Sequence, residues 1–178
     1  MRALGWAVNL LLRVVIGFVL IDALRRPSDP RYAGKAIGTR GLVVVPASLL
    51  VPAVWAIRDR RAAYPVWIDS LHLSIYALDM AGNYLNLYDR VTYFDAIPHA
   101  HGTGAATLVV ADLFELPALS AIGIAQLVHI GLEAQEYYSD VLFDLHNVRG
   151  TWDTVNDLVA GAVGSLAYAG LRRVARGS

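Results

Sequence analysis

Residues 3–24, ALGWAVNLLLRVVIGFVLIDAL, decide the class of fold. A helix needs about 20 mostly apolar residues to cross a bilayer, and this run supplies them with Arg13 as its one cation. It ends at Arg25 and Arg26, whereas a secretory signal peptide would end at a cleavage site of small residues. The sequence therefore predicts a retained transmembrane helix.

The composition of the whole chain agrees with a membrane protein. Of its 178 residues, 56% are apolar and 17% are charged, and the mean hydropathy is +0.47; about a quarter of an ordinary soluble domain is charged. Fifteen Lys and Arg balance fifteen Asp and Glu, which argues against nucleic acid as a partner. The chain has no cysteine, so disulfides, thiolate metal sites and cysteine nucleophiles are excluded.

Five further apolar runs follow the first one. They cover residues 41–57, 64–87, 99–116, 118–138 and 151–171. Pro46 and Pro52 lie in the second run, and a membrane helix tolerates proline better than a soluble helix does. The predicted fold is all-α: one transmembrane domain over residues 1–178, a polytopic helix bundle with about six spans.

The same count of spans predicts where the protein is located. Six spans place both termini on one side of the cell membrane, and we expect that side to be cytoplasmic. The positive-inside rule does not decide the orientation, because seven basic residues fall on each side of the predicted membrane.

Acids and histidines recur within the predicted spans at helical spacing. Residues three, four or seven apart share one face of a helix. Such sets are Asp79 and Asn83; Asp95 and His99; Glu133, Glu136 and Asp140; and Asp153, Asn156 and Asp157. Since antiparallel spans bring the end of the third, the start of the fourth, the end of the fifth and the start of the sixth to one membrane surface, we expect these groups at one depth.

A divalent metal ion is the simplest partner for such a cluster, because carboxylates repel one another strongly in a low-dielectric medium. The predicted metal ligands are Asp95, His99, Glu133 and Asp157, and the predicted catalytic proton acceptors are Glu136 and Asp153. Asp79, Asn83, Asp140 and Asn156 are assigned supporting polar roles. Oxygen ligands with one histidine suit Mg²⁺, Mn²⁺, Ca²⁺, Fe²⁺ or Zn²⁺.

Several of these residues have simpler interpretations. Asp140, Asp144 and His146 are also typical of a solvated loop, and an acid such as Asp153 is favoured at a helix start by capping and the helix dipole. His72 and His129 lie on largely apolar faces, which is more typical of a histidine satisfied by a neighbouring helix than of a metal ligand.

Two further features concern packing. An internal salt bridge is the preferred interpretation of Arg13, with snorkelling to the membrane surface as the alternative. The glycines Gly161, Gly164 and Gly170 predict close helix packing rather than a phosphate-binding loop.

Three short motifs resemble the VanZ-like and YjdF-like group of small bacterial polytopic membrane proteins. They are FDAIPHAHGTGAA at residues 94–106, GLEAQE at 131–136 and GTWDTVNDLVAGAVG at 150–164. The resemblance implies an integral membrane protein of the inner membrane, and some VanZ-type members are linked to tolerance of glycopeptide antibiotics. It does not name a substrate.

The predicted function is metal-assisted hydrolysis or transfer of a lipid or isoprenoid head group, with membrane lipid as partner. A bound cation would polarise a phosphoryl or carbonyl oxygen and activate a water molecule. No Walker loop, histidine-rich desaturase box or CDP-alcohol-type aspartate series is present. The alternatives are an ion- or proton-coupled transporter and a non-catalytic VanZ-like membrane protein that influences envelope antibiotic tolerance.

Overall fold

Helices form all the regular secondary structure in the computed structural model, which describes residues 2–35, 37–58, 63–144, 148 and 150–177. They are α1 (Arg2–Arg25), α2 (Ile37–Ala47), α3 (Leu50–Arg58), α4 (Val66–Tyr84), α5 (Leu87–Arg90), α6 (Ala96–Leu113), α7 (Ala118–Phe143) and α8 (Thr151–Arg176). No β-strand occurs in the described residues. The predicted all-α class is confirmed.

Helix contacts divide the chain into two compact units, Met1–Asn86 and Leu87–Ser178. In the first unit α1 packs mainly against α4, while α2 contacts α1 and α3 contacts α4. In the second unit α6 packs mainly against α8, and α7 contacts both. The sequence predicts one transmembrane domain, and each unit is described by itself below.

Two helical stretches in the described residues are long and apolar enough to cross a membrane, Arg2–Arg25 and Arg40–Arg58. They correspond to the predicted spans 3–24 and 41–57. The other four predicted spans coincide with α4, α6, α7 and α8, whose interiors contain the acids and histidines discussed above. In the described residues these four helices do not meet the criterion of length and apolarity that the first two stretches meet.

Some helix ends differ from the predicted ones. Helix α4, which corresponds to the third predicted span, ends at Tyr84 rather than at residue 87, because Asn86 adopts a left-handed conformation with φ 55°. The fifth predicted span extends to Phe143, so Asp140 lies on a helix and not in a loop. Residues 59–61 of the predicted basic cluster, and His146, Asn147 and Arg149 of the predicted loop, lie outside the described residues.

The second predicted span is interrupted by a turn at Ser48 and Leu49, which separates α2 from α3. Pro52 has no N–H to donate to the Ser48 carbonyl four residues earlier. Side chains from α1 and α4 contact the backbone carbonyl groups at this break. The Arg13 Nη1 group donates to the Ser48 carbonyl at 3.4 Å, and His72 Nε2 lies 2.8 Å from the carbonyl oxygen of Ala47.

A buried polar cluster joins α1 to α4. Arg13 Nη2 donates to Asp69 Oδ2 at 2.6 Å, and Asn9 Nδ2 and the Tyr64 hydroxyl donate to the same oxygen at 2.8 and 2.7 Å. The Asp69 side chain is fully buried. Arg13 therefore forms the internal salt bridge that the sequence predicts.

Glycines let α6 and α8 approach closely. A Cβ added to Gly164 would overlap the Ala100 carbonyl oxygen, and one added to Gly104 would lie 2.8 Å from the Gly164 carbonyl oxygen. A Cβ on Gly161 would overlap the His129 ring. A Cβ on Gly170 would meet nothing within 4 Å in the described residues. The packing interpretation thus applies to Gly161 and Gly164 but not to Gly170.

Candidate metal centre

The candidate site lies where α6, α7 and α8 pack together in the second unit. His99 is in the first turn of α6, and Asp95 is the residue that precedes this helix. His129 and Glu133 are four residues apart on α7 and therefore share one face. Asp157 comes from the second turn of α8.

Three ligand atoms in this cluster converge. His99 Nδ1 lies 2.8 Å from His129 Nε2 and 3.3 Å from Glu133 Oε1, and His129 Nε2 lies 3.2 Å from the same oxygen. Atoms bound at about 2.1 Å to one ion, at bond angles of about 90–109°, are about 3.0–3.4 Å apart. The two distances to Glu133 Oε1 fall in this range, whereas the 2.8 Å between the imidazole nitrogens is slightly shorter and is also the distance of a hydrogen bond between the two rings.

Burial gives an independent reason to expect a cation here. The side chains of His129 and Glu133 are each only 5% exposed. Glu133 Oε1 is buried without a hydrogen-bond partner among the described residues. His129 Nδ1 is also without one, but it faces away from the converging atoms and an ion bound to Nε2 would not satisfy it. An unsatisfied buried carboxylate oxygen is costly, and a bound ion is one of the standard explanations for such an atom.

Two more carboxylates face the opposite side of the His99 ring. Asp95 Oδ1 lies 3.4 Å from His99 Nε2, and Asp157 Oδ1 lies 3.8 Å from the same nitrogen. These three residues form a second group with metal-ligating spacing. The structure thus brings all four predicted ligands together, but it divides them between the two nitrogens of one imidazole ring.

His129 is the one member of the converging group that is not among the predicted ligands. The sequence favours a histidine satisfied by a neighbouring helix over a metal ligand. The structure does pair its Nε2 atom with His99 of α6 at 2.8 Å, in a group whose spacing could also hold a metal ion. The available signal was its spacing of four residues from Glu133, the same spacing that singles out Asp95 and His99.

The predicted proton acceptors lie near the cluster in sequence but outside its ligand groups. Glu136 follows Glu133 by one helical turn and Asp153 precedes Asp157 by one turn. Both are partly buried, and both take part in polar interactions. Neither belongs to the two groups of ligand atoms found in the described residues.

The residues assigned supporting polar roles have separate surroundings. Asn83 Nδ2 donates to Asp79 Oδ1 at 3.2 Å, and Arg40 Nη1 lies 3.5 Å from that oxygen, all within the first unit. Asp140 Oδ2 accepts from the backbone N–H of Val148 at 2.7 Å, and Asn156 is exposed on α8.

No family model, curated protein or solved structure matches this chain. The resemblance to VanZ-like and YjdF-like proteins therefore stays a prediction. Apart from His129, the residues that the structure brings together all lie in the three motifs on which that resemblance depends.

The arrangement allows metal chemistry. Two imidazole nitrogens and one carboxylate oxygen could hold a four- to six-coordinate ion at three positions, which would leave the others for water or substrate. Imidazole suits Zn²⁺ and Fe²⁺, whereas Mg²⁺ prefers an all-oxygen ligand set. The donor set of His99, His129 and Glu133 consequently favours a transition metal over Mg²⁺.

Proposed function

We propose that this protein is a multi-pass membrane protein whose second unit binds a divalent transition-metal ion through His99, His129 and Glu133. We further propose that the ion serves hydrolysis or transfer of a lipid or isoprenoid head group. The strongest support is the triangle of 2.8, 3.2 and 3.3 Å between the three ligand atoms, one of which is a buried carboxylate oxygen without a hydrogen bond in the described residues.

The distribution of side chains supports membrane embedding. Large apolar residues such as Leu11, Leu127 and Leu166 are 61–70% exposed, while Asp69 and Glu133 are buried. Soluble proteins rarely expose large contiguous apolar surfaces and rarely bury charged groups. Acyl chains would cover the exposed faces of these helices, and helix–helix contacts satisfy buried polar atoms such as Asp69 Oδ2, which accepts hydrogen bonds from Asn9, Arg13 and Tyr64.

Exposed aromatic residues support a position at head-group depth. Tyr93 precedes α6, Trp152 lies in the first turn of α8, and Tyr137 and Tyr138 follow Glu133 on α7; all four are exposed. Trp and Tyr concentrate at the membrane–water interface. At 1.5 Å per residue, α8 covers about 30 Å between Trp152 and Arg172, close to the thickness of the hydrocarbon core.

The ligand set also fits the proposed chemistry. Two histidines and one carboxylate bind the catalytic zinc of several hydrolases and leave a position for water. An ion at this position would polarise a phosphoryl or carbonyl oxygen and promote ionisation of a bound water. Glu136 and Asp153 are the proposed proton acceptors for that water.

Metal binding is the direct test. The full chain is purified in detergent, stripped with a chelator and titrated with Zn²⁺, Co²⁺ and Fe²⁺, and bound metal and Tm are measured. We expect one ion per chain and, at 100 times Kd, stabilisation by about 2.7 kcal/mol. His99→Ala, His129→Ala and Glu133→Gln should abolish both effects.

His101→Ala is the matched control, because His101 lies on the same helix but its Nδ1 atom pairs with the Tyr168 hydroxyl at 2.7 Å. This variant should bind metal like the wild type. A wild-type protein that binds no ion at micromolar concentrations would overturn the proposed metal site.

Activity is tested on the metal-loaded protein with polyprenyl phosphates and phospholipids in mixed micelles. We expect release of phosphate or head group by the wild type and none by Glu133→Gln. Stoichiometric metal without turnover of either substrate class would overturn the enzymatic part of the proposal and leave the metal site.

A second candidate function is ion- or proton-coupled transport, which the interrupted α2–α3 stretch favours. Transporters often use discontinuous helices to line a binding site, and here Arg13 and His72 contact the carbonyl groups at the break. Cation or proton flux into protein-containing vesicles, lost in Arg13→Gln, would support this candidate over the enzyme.

A further inference from the structure

We infer that Asp95 is a positioning residue that orients His99 for the metal ion and is not itself a ligand of that ion. This inference rests on the proposed metal site. It also revises the sequence-based assignment, in which Asp95 is one of four ligands.

The two nitrogens of the His99 ring face different groups. Nδ1 faces His129 and Glu133, at 2.8 and 3.3 Å. Nε2 faces Asp95 Oδ1 at 3.4 Å and Asp157 Oδ1 at 3.8 Å. The ring therefore separates a three-atom ligand set from a pair of carboxylates.

The chemistry of neutral imidazole assigns a role to each side. One ring nitrogen has a lone pair for the metal, and the other bears a hydrogen that must be donated. When Nδ1 of His99 binds the ion, Nε2 bears that hydrogen, and Asp95 is its nearest carboxylate. Metal-bound histidines almost always donate the outer N–H to a carboxylate, a carbonyl or water, which fixes both tautomer and ring orientation.

The local structure of α6 agrees with this role. Asp95 occupies the N-cap position, where an aspartate usually accepts a hydrogen bond from the first turn of its helix. In the described residues its side chain makes no such capping bond. The spacing of four residues instead directs the carboxylate along the helix face towards His99.

The position of Asp157 near His99 Nε2 also allows an alternative arrangement. A second ion could be held by Asp95, Asp157 and His99 Nε2, with the ring bridging two ions. Because that arrangement makes Asp95 a ligand, the number of ions bound per chain distinguishes it from the positioning role.

The test uses Co²⁺, whose visible absorption reports the ligands and geometry around the ion. The full chain in detergent is stripped and titrated with Co²⁺ as wild type, Asp95→Ala, Asp95→Asn and His99→Ala. We expect one ion in the wild type, and a 10- to 100-fold weaker Kd in Asp95→Ala with the band shape retained. Asp95→Asn should restore most of the affinity, since its amide oxygen accepts the same hydrogen bond, and His99→Ala should lose the spectrum.

Each other outcome has a separate meaning. Absence of Co²⁺, Zn²⁺ and Fe²⁺ from the wild type would defeat the proposed function. A wild type that binds one ion together with an Asp95→Ala variant of unchanged Kd would defeat the positioning role alone. A changed band shape in Asp95→Asn, or two ions per wild-type chain, would show that Asp95 is a ligand.

Glu115→Gln serves as the control for loss of one carboxylate, because Glu115 is an exposed residue just beyond the other end of α6. It should match the wild type in Kd and spectrum. If Asp95→Ala is not recovered folded, Asp95→Asn still decides the question, because a ligand role predicts an altered spectrum and a positioning role predicts a retained one.

Discussion

Arg13 and Asp69 show how charged residues are accommodated at the interface between α1 and α4. The two side chains meet at 2.6 Å, and Asp69 is fully buried whereas the Arg13 side chain is 32% exposed. Burying an ion pair is not in itself strongly stabilising, but removal of one partner leaves an uncompensated buried charge. The pair is therefore a sensitive point of the α1–α4 interface.

At this residue scale we predict that Arg13→Met lowers the free energy of unfolding by about 3 kcal/mol, because Asp69 then keeps a charge without its cation. Unfolding in mixed detergent micelles measures the effect. The double variant Arg13→Met/Asp69→Asn should recover part of the loss, because the neutral amide oxygen still accepts from Asn9 and Tyr64. Arg25→Met, an exposed arginine at the end of the same helix, should change stability by less than about 0.5 kcal/mol. Equal effects at Arg13 and Arg25 would contradict the prediction.

The metal cluster shows at the same scale what sequence spacing predicts and what it does not. The i, i+4 relation is local, so it identifies Asp95 with His99 and Asp153 with Asp157 without a structure. Which nitrogen of His99 faces which partner depends on how α6 approaches α7, and that is a tertiary property. For the same reason His129 is not among the predicted ligands: its place in the cluster comes from the nearness of His99, not from its apolar neighbours in sequence.

At the scale of elements, the helices are predictable and the interruption between α2 and α3 is not. Apolar runs of about 20 residues predict helices wherever they lie. Pro46 and Pro52 permit either a continuous or a broken helix. At the break, Arg13 contacts the carbonyl group of Ser48 and His72 contacts that of Ala47. Both residues lie far away in sequence, so no local sequence pattern predicts these contacts.

Close packing of α6 against α8 leads to a prediction for one glycine. Gly164→Ala should destabilise the protein by about 1–3 kcal/mol, because the new methyl group would overlap the Ala100 carbonyl. Gly170→Ala on the same helix should be neutral or stabilising by up to about 1 kcal/mol, since alanine favours helix and meets no neighbour there. Thermal unfolding of both variants in one detergent provides the comparison. A Gly164→Ala variant as stable as Gly170→Ala would show that the helices do not pack at this distance.

For the whole molecule, the six-span proposal depends on where the polar side chains lie as well as on the hydropathy of each helix. Two stretches are apolar enough to cross a membrane on composition alone. In α6, α7 and α8, polar residues such as Thr107, His129 and Ser165 lower the average hydropathy of the helices, and these residues are buried in the second unit. A helix whose polar groups are satisfied by other helices can lie in a bilayer although its average hydropathy is modest.

The proposed six-span arrangement can be tested in membranes, because the chain contains no cysteine and single cysteines can be introduced without background. Ser28→Cys and Thr92→Cys lie in exposed turns on one predicted side, and Ala63→Cys and Ala175→Cys lie on the other. In sealed vesicles of uniform orientation, an impermeant maleimide should label one pair, and the second pair only after the vesicles are opened. Leu127→Cys, 70% exposed in the structure, should resist labelling in both conditions because acyl chains cover it. Labelling of Leu127→Cys in sealed vesicles, or of all four of the other cysteines from one side, would contradict the six-span proposal.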